Sequence, residues 1–189
     1  MAKKGLTGHF LLSPLWEMTN STIAIITDFG SRDYFTGVMK GVIKSINPVA
    51  EIIDITSDAA PFSVRNAQFL LASSYRFFPQ GTIFLVVVDP GVGTSRRALV
   101  AFDGRYCFVL PDNGIISAVW SGAVRCRMLP IPVGRGISIT FHGRDVFAPA
   151  AARLSRGDLM DGMGEPCSDP VHLRYPPFKE NNEIGRAHV

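Results

Sequence analysis

Val86-Val87-Val88-Asp89-Pro90-Gly91-Val92-Gly93-Thr94-Ser95-Arg96-Arg97 runs from β-branched residues into a carboxylate, a proline and two glycines, and ends in paired arginines. A strand buried on both faces of a parallel sheet reads as such a continuous apolar run. Ligands of open α/β sheets sit beyond the carboxyl ends of the strands. The segment therefore sets an acid and two guanidinium groups within a few residues of an expected crevice. Proline and glycine let the chain turn sharply there and bring its backbone close to a ligand. Taken alone, the same residues also fit a solvent-facing turn with surface arginines.

Working outward, the flanking sequence supplies the rest of an α/β unit. Thr22 to Thr27 is a β-branched run closed by Asp28-Phe29-Gly30, and Phe35, Val38, Met39, Val42, Ile43 and Ile46 follow at helical spacing up to Asn47-Pro48. Glu51 to Ile55 reads as a second strand. Residues 63–78 read as a helix with Val64, Ala67, Leu70, Leu71 and Tyr75 on its apolar face, and Thr82 to Val88 as the third strand. This β-α-β-α-β order predicts parallel strands joined by helical crossovers. Beyond Arg97 the pattern changes. Leu99 to Phe102 and Tyr106 to Leu110 flank a turn at Asp103-Gly104 and read as a hairpin. A short helix is expected from Ile115 to Trp120, a strand from Val124 to Leu129 and a helix from Phe147 to Leu154. After Gly157, glycines and prolines predict a linker. The expected organisation is an extension over residues 1–20, an α/β domain over 21–165, and a linker with the start of another domain over 166–189.

Bulk properties narrow the functional classes. The 189 residues carry a formal charge of +3 with 47% apolar and 19% charged content, which suits a globular protein with one sizeable core. No lysine-arginine stripe marks a nucleic-acid partner, and no apolar stretch is long enough to span a bilayer. The apolar part of residues 1–20 is too short for a convincing secretory signal. Cys107, Cys126 and Cys167 form no C-x-x-C pair; Cys107 and Cys126 lie in strand-like runs, which predicts buried thiols and a reducing, cytoplasmic setting.

Four polar clusters fall where apolar elements end: Asp28-Phe29-Gly30, residues 89–97, Asp112-Asn113-Gly114, and Thr140-Phe141-His142-Gly143-Arg144-Asp145. Strand ends meeting on one sheet edge would bring them together. Each has a plainer reading: Asp-Asn-Gly is a common turn, and a lone histidine is often structural. Gly91-Val92-Gly93 lacks the third glycine of the dinucleotide fingerprint and leads to no P-loop Gly-Lys-Ser/Thr. No Gly-x-Ser-x-Gly elbow occurs. Asp28, Asp89, Asp112 and His142 offer oxygen and nitrogen donors, so a metal-dependent phosphoester hydrolase stays open. The absence of paired histidines argues against a transition-metal site.

As an ordered set, these clusters resemble the S-adenosyl-L-methionine hydroxide adenosyltransferases, relatives of the fluorinating and chlorinating enzymes. The resemblance rests on Thr27-Asp28-Phe29-Gly30, on Asp33-Tyr34 with Gly37-Val38-Met39-Lys40-Gly41, on Asp89-Pro90-Gly91-Val92-Gly93, and on Arg96-Arg97. It continues through Asp112-Asn113-Gly114 and Thr140 to Pro149, covering roughly Ile23 to Gly164. It implies hydrolysis of S-adenosylmethionine to adenosine and methionine, with no metal and no cofactor. The family's catalytic Asp, Arg and His fall on Asp89, Arg96 and His142, and its ribose-binding aspartate on Asp28. Tyr34, Phe62, Asn113 and Gly143 are the other expected substrate-binding positions; the Phe62 ring also fits a plain role in core packing. Halogenating relatives lack the Asp–Arg combination, so its presence implies water as nucleophile. The resemblance further implies a homotrimer for the full-length form and a second, smaller β-barrel-like domain, which this chain is expected to lack. A catalytically silent adenosine-binding fragment is the non-enzymatic alternative.

The chemistry suits these residues. Methionine leaves a sulfonium as a neutral thioether, so no general acid is required. Free water, with a pKa near 15.7, is the poor partner. A carboxylate with an ordinary pKa near 3.9 is a weak base for it, so positioning and the guanidinium charge are expected to carry much of the effect.

Overall fold

The computed structural model describes residues 22–121 and 123–174. The expected extension over residues 1–20 and the tail beyond Arg174 lie outside them. Strands β1 (Thr22–Thr27), β2 (Glu51–Thr56), β3 (Ile83–Val87), β4 (Ala98–Phe102), β5 (Cys107–Pro111), β6 (Arg125–Leu129) and β7 (Glu165–Pro166) form one sheet in the order β2-β1-β3-β5-β4-β6-β7. β2, β1, β3 and β5 are parallel; β4 runs antiparallel to both β5 and β6, and β7 antiparallel to β6. The architecture is thus the expected α/β class, a sheet parallel at its start and flanked by helices.

The two-residue period of a strand divides the core. Ile23, Ile25, Ile83, Leu85, Val87, Cys107 and Val109 pack with Met39 and Ile43 of α1 (Phe35–Ile46) and with the alanines of α3 (Ala148–Ser155). Ala24, Ile26, Phe84, Val86, Val88, Phe108 and Leu110 turn to the other face, against Ala67 and Leu71 of α2 (Val64–Ser74). Helices cover both faces, which is why β1 and β3 are buried along their whole length.

Chain direction places the site. From β1 the chain passes through α1 to β2 on one side, then through α2 to β3 on the other side of β1. The crevice between the carboxyl ends of β1 and β3 is therefore a topological switch point. Because β4 is antiparallel, it starts on the edge where β3 ends, so the segment 88–97 never leaves that edge. β5 and β6 end there too. The four polar clusters consequently gather at one edge of the sheet.

Local differences from the expected elements have identifiable causes. The helix expected over 63–78 is α2, N-capped by the Ser63 hydroxyl accepting from the Asn66 N–H, and it tightens to a 3-10 turn at Tyr75–Phe77 before Pro79. Gln68, on the buried side of α2, donates to the Gly114 carbonyl. The helix expected at Ile115–Trp120 is a 3-10 turn, Ile115–Ala118. The helix expected at Phe147 begins earlier, as a π-helical turn at Gly143–Phe147 that runs into α3. The stretch expected to be linker carries a 3-10 turn at Met160–Gly162 and then β7. Leu129, Met160 and Met163 join the core there, an irregular pattern that shows no strand or helix period. No helix among the described residues is long and apolar enough to cross a membrane.

Candidate active site

A cavity of about 280 Å³ opens at the switch point, lined by Asp28 and Phe29 after β1, Val87, Asp89 and Val92 around the end of β3, and Phe35, Phe62, Thr140, Phe141 and Gly143. Its walls are apolar, and two carboxylates face into it. Such a ratio of many apolar to few placed polar groups is usual for small-molecule sites.

Asp89 sits where the last apolar residue of β3 gives way to the loop. Arg96 returns to it from seven residues later and grips it with both arms: Nε donates to Oδ1 at 3.0 Å, and Nη2 donates to Oδ2. The pair is buried, with side-chain exposures of 5% for Asp89 and 8% for Arg96. Gly91 permits the return, because the Arg96 stem passes its α-carbon so closely that an added Cβ would lie 3.3 Å from Arg96 Cγ. Arg96 Nη2 also lies 2.8 Å from His142 Nδ1, and the guanidinium stacks over the Phe147 ring at 5.3 Å. Arg96 Nη1 is buried and has no hydrogen-bond partner among the described residues. A buried donor without an acceptor is costly, and Arg96 is not among the residues that line the cavity.

His142 leads into the π-helical turn, a feature that recurs at functional sites. A guanidinium can only donate, so Nδ1 accepts and the imidazole is neutral with its proton on Nε2. Burial and the adjacent Arg96 charge hold its pKa below the usual histidine value, against the opposing pull of Asp89 and Asp145. The loop before it is anchored by Asp145, whose carboxylate accepts from the Ser138 N–H at 2.7 Å and from Arg144. The Arg144 hydrogen bond holds the Asp145 pKa below the normal carboxylate range.

Asp28 Oδ2 accepts the Phe62 N–H at 2.7 Å. Phe62 has φ 58°, the one positive φ outside glycine among the described residues, and its ring is 72% exposed. A bulky residue in this conformation is strained. Its ring is not seeding the core, so the packing alternative for Phe62 is not what the structure shows. Gly143 lines the cavity in a crowded spot, where a Cβ would meet Met39 Sδ at 3.0 Å and the Phe29 and Phe141 rings at 3.5 Å.

Asp28, Phe62, Asp89 and Gly143 thus meet around one cavity, with Arg96 and His142 bonded behind Asp89. Tyr34 and Asn113 do not line it. Tyr34 is exposed and stacks on the outer side of Phe35, ring centroids 4.6 Å apart. Asn113 donates to the Val88 carbonyl at 2.9 Å, tethering the residue before Asp89. Arg97 turns away from Arg96 to bind Asp112 and Asp169, which raise its pKa further. Phe35, Val87 and Val92 are lining residues that sequence reasoning missed as site members. The aromatic trio Phe29, Phe35 and Phe141, with centroids 5.0–6.3 Å apart, was detectable only as aromatics just after the Asp28 strand and just before His142. Among the described residues no three His, Cys, Asp or Glu side chains group so as to hold a metal ion. The phosphoester alternative therefore lacks a ligand set there.

The model of the SAM hydroxide adenosyltransferase N-terminal domain matches residues 23–164. An (R)-S-adenosyl-L-methionine hydrolase of Thermus thermophilus is 37% identical over 165 residues, covering 82% of this chain and 64% of that protein. A fluorinase of Actinoplanes is more distant, 24% identical over 193 residues, with 88% of this chain and 65% of that enzyme covered. A conserved protein of Thermotoga maritima, solved by crystallography, superposes with a TM-score of 0.77 at 42% identity, covering 82% of this chain and 61% of that one. The chain spans less than two thirds of the length of each of these relatives. The match contains every cluster that meets at the sheet edge, and the chain belongs to the SAM hydroxide adenosyltransferase family.

Proposed function

We propose that this chain carries the water-activating part of an S-adenosyl-L-methionine hydrolase, which yields adenosine and L-methionine without a metal. The observation that carries the reading is Asp89, a buried carboxylate on the cavity wall whose opposite side is held by Arg96. Hydrolase relatives at 37% identity support the substrate.

In the proposed reaction a water oxygen bonds to ribose C5′ while the C5′–S bond breaks and its electron pair stays on sulfur. The leaving thioether is neutral and takes no proton. As the new C–O bond forms, the attacking oxygen becomes far more acidic than free water. Asp89 then receives the departing proton despite being a weak base for water itself. A positioned base contributes about 10²–10⁴-fold, and holding the water in line supplies roughly 7–11 kcal/mol of a bimolecular barrier. Arg96 fixes the carboxylate from behind, through Nε and Nη2. Neutral His142 accepts from Arg96 and fixes that guanidinium in turn. A carboxylate on the wall also repels a halide, which favours water as nucleophile. Asp28 is suited to ribose hydroxyls, and the exposed Phe62 ring to one face of the substrate or to a covering second domain or neighbouring subunit.

Incubating the purified chain with S-adenosylmethionine and separating products by chromatography tests the reading. Adenosine and methionine are expected in equal amounts, unaffected by EDTA. The same assay on a form extended to the length of its relatives shows whether the cavity needs further walls. Turnover that survives Asp89→Asn in the extended form, or that EDTA abolishes, refutes the mechanism.

A further inference from the structure

Away from the cavity, at the far edge of the sheet, β6 and β7 pair with Arg127 opposite Pro166 and Met128 opposite Glu165. One step further in that register sets Cys126 opposite Cys167, and the Cys167 N–H donates to the Cys126 carbonyl at 2.9 Å. Directly opposed residues that share such a bond have α-carbons about 5.5 Å apart, inside the range a disulfide bridges. Both side chains enter the same apolar cluster. Both are free. Cys107 belongs to the core on the opposite face and has no such partner.

We propose that Cys126 and Cys167 form a disulfide-forming site, oxidised by a small disulfide such as glutathione disulfide. One cysteine thiolate attacks the glutathione S–S bond and releases one glutathione thiol. The second cysteine attacks the resulting mixed disulfide and releases the other. Two electrons and two protons pass from the cysteine pair to glutathione, and one S–S bond replaces another. Each residue is 7% exposed, so reagent enters by opening of β7, a two-residue edge strand of the kind that opens first. Burial and the neighbouring thiol push Cys126 up to about 12, so the reaction is slow at neutral pH and quickens as pH rises.

The bond would close a loop of about 40 residues that contains residues 130–142, His142 and α3. It would also hold the segment that follows β7, where Asp169 binds Arg97 and the Val171 N–H binds Asp112. Closing a loop of that length removes denatured-state entropy and raises Tm by on the order of 10 °C for a chain of this size.

The test incubates the purified chain with glutathione disulfide at pH 8.5, followed by peptide mapping under non-reducing conditions. A linked peptide containing Cys126 and Cys167, lighter by two hydrogens, is expected, with a higher Tm that dithiothreitol reverses. Mapping uses the unsubstituted chain, so it does not depend on how variants fold. Cys107→Ala is expected to keep the shift, and Cys126→Ala to lose it. The proposal is overturned if both thiols stay free after incubation in urea held below the global unfolding transition, where the edge strand opens first, or if the bond formed involves Cys107 or a second molecule.

Discussion

Replacing Arg96 by methionine keeps much of the aliphatic stem and removes the cation. The partner Asp89 is then left on the wall of an apolar cavity, at a position whose side chain is 5% exposed. Deleting one member of a buried, hydrogen-bonded pair costs about 3–5 kcal/mol, because the remaining buried charge loses its counter-ion. The guanidinium also stacks on Phe147 and donates to His142 Nδ1. Loss of the stacking adds about 0.5–1 kcal/mol. Urea unfolding at pH 7 should therefore show Arg96→Met less stable by about 4–6 kcal/mol, a large part of the 5–15 kcal/mol available to a domain. Asp89→Asn alone strands the guanidinium and should cost a comparable amount. Removing both charges together strands neither, so the double variant should be far less damaged than the sum, with a coupling of about 3 kcal/mol or more. If Arg96→Met costs under about 1 kcal/mol, or if the two losses simply add, the pair is not the buried unit described here.

Three further outcomes follow from the same geometry. His142 is held neutral with a pKa below 6.5, so between those values the unfolded chain binds more protons than the folded one. Its contribution is complete above about 6.5 and is lost as pH falls toward the lowered pKa; urea titrations from pH 7.5 to 5 should show this loss in the parent and not in His142→Gln. Phe62→Gly relieves a left-handed backbone that costs a non-glycine residue roughly 1–2 kcal/mol, so stability should hold or rise. If the ring is buried against the proposed substrate, losing it should raise KM for S-adenosylmethionine by roughly 10- to 100-fold, from about 1.5–3 kcal/mol for a buried aromatic; an unchanged KM in the extended form would exclude the ring from the substrate. Gly143→Ala should lower stability by about 1–3 kcal/mol, since its Cβ meets Met39 and two rings. Thermal unfolding checks this, and an unaltered Tm would show that Met39 yields freely.

Much of the framework was legible because its signals are local. The helix expected over residues 35–46 is α1 to the residue, since its 3.6-residue period and the Asn47-Pro48 stop both lie within the segment. The strands before Asp28 and Asp89 were equally clear, as continuous apolar runs. β7 was not, because a two-residue edge strand holding a proline has no periodicity and exists only through pairing with β6. The early start of the last helix was hidden for a related reason. Gly143 is a poor helix signal, and the turn there is π-helical, held by Asp145 accepting from the Ser138 N–H and by Phe147 in the core.

Asp89, Arg96 and His142 were each nameable from the chain, yet the roles of their neighbours were not. Arg96 and Arg97 are adjacent and chemically identical, and one grips the cavity carboxylate while the other binds Asp112 and Asp169. Adjacent residues in extended backbone point to opposite sides, and no composition argument says which side holds the cavity. Asn113 had the same difficulty, since its tether to the Val88 carbonyl joins residues 25 apart. The sequence by itself determined the elements, their order and the polar clusters at their ends, because these follow from local period and local turn chemistry. Only the tertiary structure decided which arginine meets Asp89, which aromatics line the cavity, and that Cys126 faces Cys167. Those are matters of strand direction, register and long-range packing, which no local stretch of chain contains.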